Sequence, residues 1–235
     1  LSFTRGDEEA AVRENYRRLA RALGAEVGQF VCSDQTHTVN VRRVTAADAG
    51  KGLTRERDYR DVDGLITDEP GLVLSTFYAD CVPLYVVDPV HRAIGMSHSG
   101  WRGTAARMGA VTLSAMQEAY GTRPEDVVCA VGPSICKDCY EVSADVADIF
   151  AEEFPGHEQE ILAESEKNSV GMAHADKKYQ LDLWQANHQI MLGAGLKEEH
   201  ISMPNLCTCC NPEFLFSHRA SHGRRGNLGA FLGIR

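Results

Sequence analysis

The sequence predicts an α+β fold in a single domain that spans residues 1–235. Short apolar segments typical of strands alternate with amphipathic segments typical of helices. Three strand-like segments, 72–77, 83–87 and 93–96, adjoin through short turns, which favours α+β over a doubly wound parallel sheet. A chain of 235 residues is also long enough to bury a sizeable core.

The other elements are predicted on either side of these three strands. The first helix begins near Asp7, carries an apolar stripe that includes Val12, Tyr16 and Leu23, and stops at Gly24. Further strands are predicted at 29–32, 38–44, 127–131, 214–217 and 228–234, and a turn runs into a strand at 63–67. Further helices are predicted at 104–120, 143–150 and 184–193, with irregular segments at 45–60 and 155–177.

Composition excludes several classes of function. With 24 basic and 33 acidic residues the net charge is −9, which argues against a nucleic-acid-binding protein. No apolar segment reaches the roughly 18 residues of a membrane span, and no signal peptide opens the chain. Of the eight cysteines, Cys32, Cys81 and Cys129 lie in or beside strand-like segments, where reduced thiols pack well. We therefore expect a cytoplasmic protein with reduced thiols.

The segment 72–103 is the candidate active site, because reactive side chains stand where its strands end. Cys81 follows the first strand and His98 follows the third, while His37 lies in an earlier turn. Two imidazoles and a thiolate suit zinc or copper, and three protein ligands leave a fourth position open. The competing interpretation is a buried thiol with two hydrogen-bonded histidines, and residue spacing does not separate the two.

Two charged residues beside these ligands are further candidates. Asp80 is either a group that orients a ligand or moves protons, or a simple turn carboxylate. Arg102 lies between Gly100 and Gly103 at a predicted helix start, where amides and a cation would favour phosphate. The alternative for Arg102 is a surface arginine beside a tryptophan.

Two further groups of residues were weighed as sites. The pair Cys136 and Cys139 has CxxC spacing without a second pair nearby in the sequence, and the cysteines of the segment 207–210 are crowded. We expect both groups to be structural rather than metal-binding. The basic segment 218–225 is either solvated or a phosphate-contacting loop.

A series of motifs resembles one known family over nearly the whole chain. The motifs, in chain order, are QTH at 35–37, DGLIT at 63–67, ADCVP at 79–83, HSGWRG at 98–103, GPSI at 132–135, YEV at 140–142, LDL at 181–183, CT at 207–208 and FS at 216–217. They resemble the laccase-domain, or multicopper polyphenol oxidase, family with the YfiH-like fold, which is also known as a purine nucleoside phosphorylase family. The chain departs from that pattern at His218, where the family usually has Tyr, and in lacking the family's opening strand before Leu1.

The resemblance implies a layered sandwich of mixed β-sheets flanked by helices. It implies zinc, with copper as the alternative, held by His37, Cys81 and His98, with Cys81, His98 and Asp80 in catalysis. It also implies phosphorolysis of adenosine, inosine and methylthioadenosine to free base and (methylthio)ribose 1-phosphate, with adenosine deamination alongside. The residues implied in substrate or phosphate binding are Gln35, Arg102, Ser134 and Arg219.

Other functions remain open on the sequence. A cysteine hydrolase with Cys81 as nucleophile and His98 as base uses the same residues. Copper-dependent phenol oxidation is disfavoured, because laccase chemistry needs a trinuclear cluster and this chain has nine histidines with no His-x-His motif. A non-catalytic binding module is the weakest reading. The expected partners are a purine nucleoside and phosphate, without nucleic acid or membrane, in a monomer or homodimer.

Overall fold

The fold is described from a computed structural model that covers residues 1–3, 5–169 and 171–235. The helices in these residues are α1 (Glu9–Leu23), α2 (Trp101–Ala105), α3 (Met108–Tyr120), α4 (Ala144–Glu153), α5 (Glu158–Ile161) and α6 (Leu183–Gly193). The strands are β1 (Phe30–Cys32), β2 (Val41–Arg43), β3 (Gly64–Thr67), β4 (Val73–Tyr78), β5 (Val82–Asp88), β6 (Ala93–Ser99), β7 (Val128–Val131), β8 (Glu141–Ser143), β9 (Leu162–Glu164), β10 (Lys178–Leu181), β11 (Ile201–Ser202) and β12 (Leu228–Gly233).

Three sheets are formed by the described strands. The largest has the order β11-β7-β5-β6-β3-β2, and its centre is the antiparallel pair β5–β6, in which Pro83 lies opposite His98. A second sheet has the order β1-β4-β12, and a small third sheet has the order β8-β10-β9. Parallel and antiparallel pairs occur together in the first two sheets, so the predicted mixed α+β layering is confirmed.

Side chains on the two faces of the large sheet belong to different clusters. Leu65 and Met96 pack with Leu74 of the second sheet, whereas Ile66 packs with Leu113 on the helical side. This alternation follows from the two-residue period of a strand. The layers are therefore α1, the β1-β4-β12 sheet, the six-stranded sheet, and the helices α3, α4 and α6.

The first helix forms as its sequence predicts. Val12, Tyr16 and Ala20 are buried against Phe30 of β1, and the amide of Gly24 donates to the carbonyls of Ala20 and Arg21. Gly24 has a φ of 64°, a left-handed conformation that glycine adopts without strain.

The single helix predicted over 104–120 is wrong, because the segment forms α2 and α3 with a break at Arg107. Thr104 does not cap a helix; its hydroxyl is buried and hydrogen-bonded to Ser99 Oγ at 2.9 Å and to Asn187 Nδ2 at 3.1 Å. Arg107 has a φ of 59°, and its guanidinium lies 5.0 Å from the ring centre of Phe154. Buried polar contacts and this side-chain packing thus outweigh helix continuity.

Two other local predictions also need correction. The segment 214–217 is irregular, with a turn at residue 214 and a bend at residue 215, and does not form a strand. The segment 155–177, in which residue 170 lies outside the described part, contains α5 and β9. The α5 segment contributes the fully buried Ile161 to the core. Its other three residues are polar, so the sequence did not indicate a core helix here.

The β5 core residue Leu84 offers a test of the layering. Leu84 is completely buried between β6 and β7, so Leu84→Ala should lower the free energy of unfolding by about 2–5 kcal/mol. Urea denaturation monitored by circular dichroism measures this change. The control Val90→Ala removes a side chain that is 59% exposed and should leave stability within about 0.5 kcal/mol. Equal effects of the two substitutions would contradict the layering.

Candidate metal centre and active-site cavity

Three separate segments bring His37, Cys81 and His98 together. His37 lies in the turn after β1 with a φ of 66°, Cys81 lies in the turn between β4 and β5, and His98 lies near the end of β6. The Cys81 sulfur and one ring nitrogen from each histidine lie within 4.8 Å of one another. The clustering that the resemblance implied is therefore present in the structure.

Asp63 is the residue that organises this cluster. Its carboxylate is completely buried; Oδ1 accepts the amide of His37 at 3.1 Å and pairs with His98 Nδ1 at 2.8 Å. Oδ2 accepts the amides of Thr36 at 3.0 Å and Thr38 at 2.9 Å. Burial raises the pKa of Asp63, but the hydrogen bonds from His98 and these amides outweigh it and lower the pKa to about 2. The carboxylate is therefore ionised, so His98 Nδ1 carries the proton and Nε2 is left for the site.

The thiol and imidazole of the cluster are electrostatically matched. Burial raises the pKa of Cys81, but hydrogen bonds from His37 and His98 outweigh it and lower the pKa to about 6. Burial lowers the pKa of His98, but its bonds to Asp63 and Cys81 raise it to about 9. Cys81 is thus held as a thiolate, which is the form that binds metals and acts as a nucleophile.

Gly100, the residue before α2, leaves space for the cluster. A Cβ atom at this position would lie 3.0 Å from Cys81 Sγ and 3.2 Å from His37 Cδ2. Any side chain here would therefore crowd two of the three donors. Gly100, which directly precedes Trp101 in the HSGWRG motif, is therefore required because it has no side chain.

The donor set fits zinc. Zinc binds thiolate at about 2.3 Å and imidazole at about 2.0–2.1 Å, which places its ligand atoms roughly 3.5 Å apart in a tetrahedron. Ligand atoms of His37, Cys81 and His98 within 4.8 Å need only small side-chain movements to reach that spacing. Three protein ligands are typical of catalytic zinc sites, which keep one position for water or substrate.

A cavity of about 490 Å³ opens beside the three donors. This volume lies in the range of small-molecule sites. Its cationic side chains are Arg5, Arg57 and Arg225, and none of these was selected as a site residue from the sequence. The remaining lining residues are Leu1, Ser2, Phe3, Tyr16, Cys32, Ser33, Asp34, Gln35, Gly52, Phe77, Tyr78, Ala79 and Asn227.

The arginines give the cavity a positive wall. Arg57 Nη2 pairs with Asp34 at 2.7 Å, and its Nη1 donates to the carbonyl of Ser33 at 2.6 Å. Burial and the nearby charge of Arg5 lower the pKa of Arg225, whose Nε is buried without a hydrogen-bond partner in the described residues. An anion in the cavity would favour the charged form of Arg225 and could accept a hydrogen bond from its Nε.

Asp80, for which the sequence left two interpretations open, contacts residues from the C-terminal part of the chain. It is buried, with a φ of 84°; its Oδ1 accepts from Thr208 Oγ1 at 2.6 Å and its Oδ2 from the amide of Arg219 at 2.7 Å. The carboxylate that contacts His98 is that of Asp63 instead. Asp80 therefore holds the segment carrying Thr208 and Arg219 against the turn that carries Cys81.

Gln35 and Ser134, two of the predicted binding residues, are occupied by internal contacts. Gln35 lines the cavity, but its amide group donates to the carbonyl of Phe77 at 2.6 Å and accepts from the amide of that residue at 2.7 Å. Ser134 is completely buried, donates to the carbonyl of Gly132 and accepts from Trp184 Nε1 at 2.7 Å. Both hydrogen bonds of the Ser134 hydroxyl are therefore made within the protein interior.

The two predicted arginines lie outside the cavity lining. Arg219 donates to the carbonyls of Cys139 at 3.2 Å and Glu141 at 2.9 Å. Arg102 is exposed, with its guanidinium carbon 4.3 Å from the ring centre of Trp101. Burial raises the pKa of Tyr140, Cys81 also raises it, and Arg219 and Arg102 lower it. Both arginines and Cys81 thus lie close enough to Tyr140 to affect its pKa through their charges.

Sequence reasoning missed Asp63, Arg57 and Arg225 as site residues. Asp63 stands inside the DGLIT motif that contributed to the resemblance, but nothing in its spacing shows which histidine it contacts. Arg57 lies in the segment 45–60, which was interpreted as an exposed loop, and Arg225 lies in the basic segment whose role was left open. Their convergence depends on tertiary contacts such as the 2.7 Å pair between Arg57 and Asp34.

A family model described as "Multi-copper polyphenol oxidoreductase laccase" matches residues 1–235. The chain belongs to this family. This laccase family was the one indicated by the sequence motifs, so that prediction is confirmed.

Individual members of the laccase family resemble the chain over most of its length. Purine nucleoside phosphorylase YlmD of Bacillus subtilis (strain 168) is 34% identical over 233 residues, 97% of this chain and 79% of that protein. Adenosine deaminase RL5, from an unknown prokaryotic organism, is 31% identical over 219 residues, 91% of this chain and 78% of that protein. The crystal structure of the hypothetical protein YfiH of Bacillus licheniformis superposes with a TM-score of 0.91 at 31% identity, covering 100% of this chain and 85% of that one. The predicted YfiH-like fold is confirmed.

Asp63 offers a test of the site's organisation. Both oxygens of Asp63 accept hydrogen bonds, five in all. In Asp63→Asn an NH₂ group replaces one of these oxygens and faces hydrogen-bond donors, whichever way the amide is turned. We expect zinc affinity to fall about 10–100-fold, as is usual when the partner of a ligating histidine is lost. Competition with a chromogenic chelator measures it. The control Asp68→Asn alters a carboxylate that pairs only with Arg43 in the described residues and should leave affinity unchanged. Unchanged affinity in Asp63→Asn would contradict the organising role.

Proposed function

We propose that this protein is a zinc-dependent purine nucleoside phosphorylase that cleaves adenosine, inosine and methylthioadenosine and also deaminates adenosine. The observation that carries the proposal is the open His37–Cys81–His98 cluster beside an arginine-lined cavity. The names of the two relatives support both activities. Eight free cysteines support a reducing, cytoplasmic location. Among the described residues, no helix is long and apolar enough to cross a membrane.

The chain's own residues divide the work of the site. His37, Cys81 and His98 would hold the metal, with Asp63 fixing the orientation of the His98 ring. Zinc, when bound, supplies Lewis acidity that activates water and stabilises negative charge. Arg5, Arg57 and Arg225 would seat phosphate, since guanidinium groups bind its oxygens with charge-assisted hydrogen bonds. The seated phosphate would then attack C1′ of the ribose as the C1′–N9 bond breaks, giving ribose 1-phosphate, and the departing purine takes up the proton that the phosphate loses.

The phosphorylase is tested by incubating the protein with inosine. Hypoxanthine should form only when phosphate is present, and treatment with a strong chelator should abolish the reaction until zinc is restored. Cys81→Ala removes the thiolate ligand, so the zinc ion of the His37–Cys81–His98 site and both activities should be lost together while the far-ultraviolet circular dichroism stays unchanged. The control Cys129→Ala alters a buried thiol in β7 and should retain zinc and activity. Release of hypoxanthine without phosphate would contradict the proposed phosphorylase activity.

The phosphate seat is tested by Arg225→Met, which keeps most of the side-chain stem. Loss of one charge-assisted contact, worth about 1.5–3 kcal/mol, should raise the KM for phosphate roughly 10–150-fold. Adenosine deamination, which uses no phosphate, should change by only a few fold. The control Arg224→Met alters the neighbouring exposed arginine, which does not line the cavity. If Arg102→Met raises the phosphate KM and Arg225→Met does not, the seat is at Arg102, the position first indicated by the sequence.

A cysteine hydrolase is the second candidate, and one observation favours it. Cys81, His98 and Asp63 are hydrogen-bonded in series, as in a thiol–imidazole–carboxylate triad. The chelation experiment separates the candidates, because a thiol hydrolase keeps its activity without metal. The multi-copper reaction in the family's description is not favoured. Of the two groups of potential metal ligands found in the described residues, only one contains histidine.

A further inference from the structure

The fold brings two CxxC pairs together at a second place. Cys136 and Cys139 follow β7, and Cys207 and Cys210 follow β11. A parallel β-bridge between Ser134 and Cys207 places the two segments side by side. In it, the amide of Thr208 donates to the carbonyl of Ser134 at 3.1 Å. The sequence showed no second pair near the first, because the whole segment from α4 to α6 separates the two pairs along the chain.

The four sulfurs have the spacing of a single tetrahedral site. All four lie within 4.8 Å of one another, with Cys136 Sγ 3.9 Å and Cys139 Sγ 3.4 Å from Cys210 Sγ. Zinc–sulfur bonds of about 2.3 Å place sulfurs about 3.8 Å apart in a tetrahedron. The observed distances scatter around that value.

Backbone amides at the cluster favour thiolates over thiols. The amides of Cys136 and Cys210 donate to Cys207 Sγ at 3.3 and 3.4 Å. Two N–H donors directed at one buried sulfur stabilise negative charge there, and a thiolate is the form that binds metals.

We propose that Cys136, Cys139, Cys207 and Cys210 bind a second zinc ion through four thiolates. All four coordination positions are then filled by the protein, which is typical of structural rather than catalytic zinc sites. A disulfide explains the arrangement less well, because it would join two sulfurs at about 2.05 Å and leave the other two without a function. This proposal departs from the sequence-based expectation that both cysteine groups are structural rather than metal-binding, because here the structural role is supplied by a metal.

The second site holds the turn that carries Cys81. Thr208, inside the second pair, donates to Asp80 Oδ1, and the amide of Ile135, next to Cys136, donates to the Asp80 carbonyl at 3.0 Å. A metal that ties the two pairs together therefore fixes both contacts to the residue before Cys81. Loss of this metal should lower thermal stability while the His37–Cys81–His98 site can still bind zinc.

The test uses metal content, which does not depend on activity. Protein purified without chelator should contain two zinc ions per chain by mass spectrometry of metals. Cys81→Ala should retain one of them, and cobalt substitution of that variant should give the intense thiolate-to-cobalt charge-transfer absorption of a four-sulfur tetrahedral site. Cys210→Ser should lose one zinc and melt at a lower temperature. The control Cys209→Ser alters the neighbouring cysteine outside the cluster and should retain both ions.

Three results would overturn the proposal. They are a Cys81→Ala protein without zinc, a Cys210→Ser protein with unchanged zinc, and an intact mass about 2 Da low that maps to a Cys139–Cys210 disulfide. If Cys210→Ser fails to fold, Cys81→Ala protein titrated with a mercurial reagent replaces it. Zinc release must then accompany modification of these four thiols. Because Cys81→Ala isolates the second site, its outcome is independent of the proposed phosphorylase.

Discussion

The buried carboxylate of Asp63 is the interaction on which the candidate site depends. It joins the turn carrying His37 to β6 through His98, and it sits at the start of β3, between β2 and β6 in the large sheet. An isolated buried carboxylate would be costly, so five hydrogen-bond donors converge on it. The same bonds that make its burial tolerable fix the backbone of His37 and the ring of His98, two of the candidate metal ligands. Stabilising the buried carboxylate and orienting these two histidines are therefore one requirement.

The third candidate ligand, Cys81, is held by a separate set of contacts. Cys81 follows Asp80, whose carboxylate is held by Thr208 and by the amide of Arg219. These partners come from a segment more than a hundred residues away, beside the four-cysteine cluster. Two carboxylates thus act as anchors, Asp63 for the two histidines and Asp80 for the turn that carries Cys81.

Local patterns were enough to predict most of the fold. The apolar segments before and after Cys81 appear as β4, β5 and β6, and the stripe of α1 ends at Gly24 as expected. The single helix predicted over 104–120 failed because Thr104, which looked like a helix cap, turns inward to Asn187. The segment 214–217 has strand-like residues, but its two phenylalanines are exposed and it forms a turn and a bend instead of a strand.

The sequence indicated the three candidate metal ligands but not the residues that hold them in place. His37, Cys81 and His98 stand in motifs, whereas the role of Asp63 depends on which histidine lies across the sheet from it. Arg57 and Arg225 reach the cavity from segments that read as solvated loops, and only tertiary structure places them there. The two CxxC pairs are similarly far apart along the chain, so their pairing is a property of the parallel β7–β11 contact.

The most direct test of the metal-centred account is an anomalous difference map from crystals of the purified protein, recorded above and below the zinc absorption edge. The account predicts a peak that appears only above the edge, about 2.3 Å from Cys81 Sγ and about 2.0–2.1 Å from one ring nitrogen each of His37 and His98. Absence of a peak there in protein that is active without added metal would contradict it, and Cys81 would then act as a free thiolate.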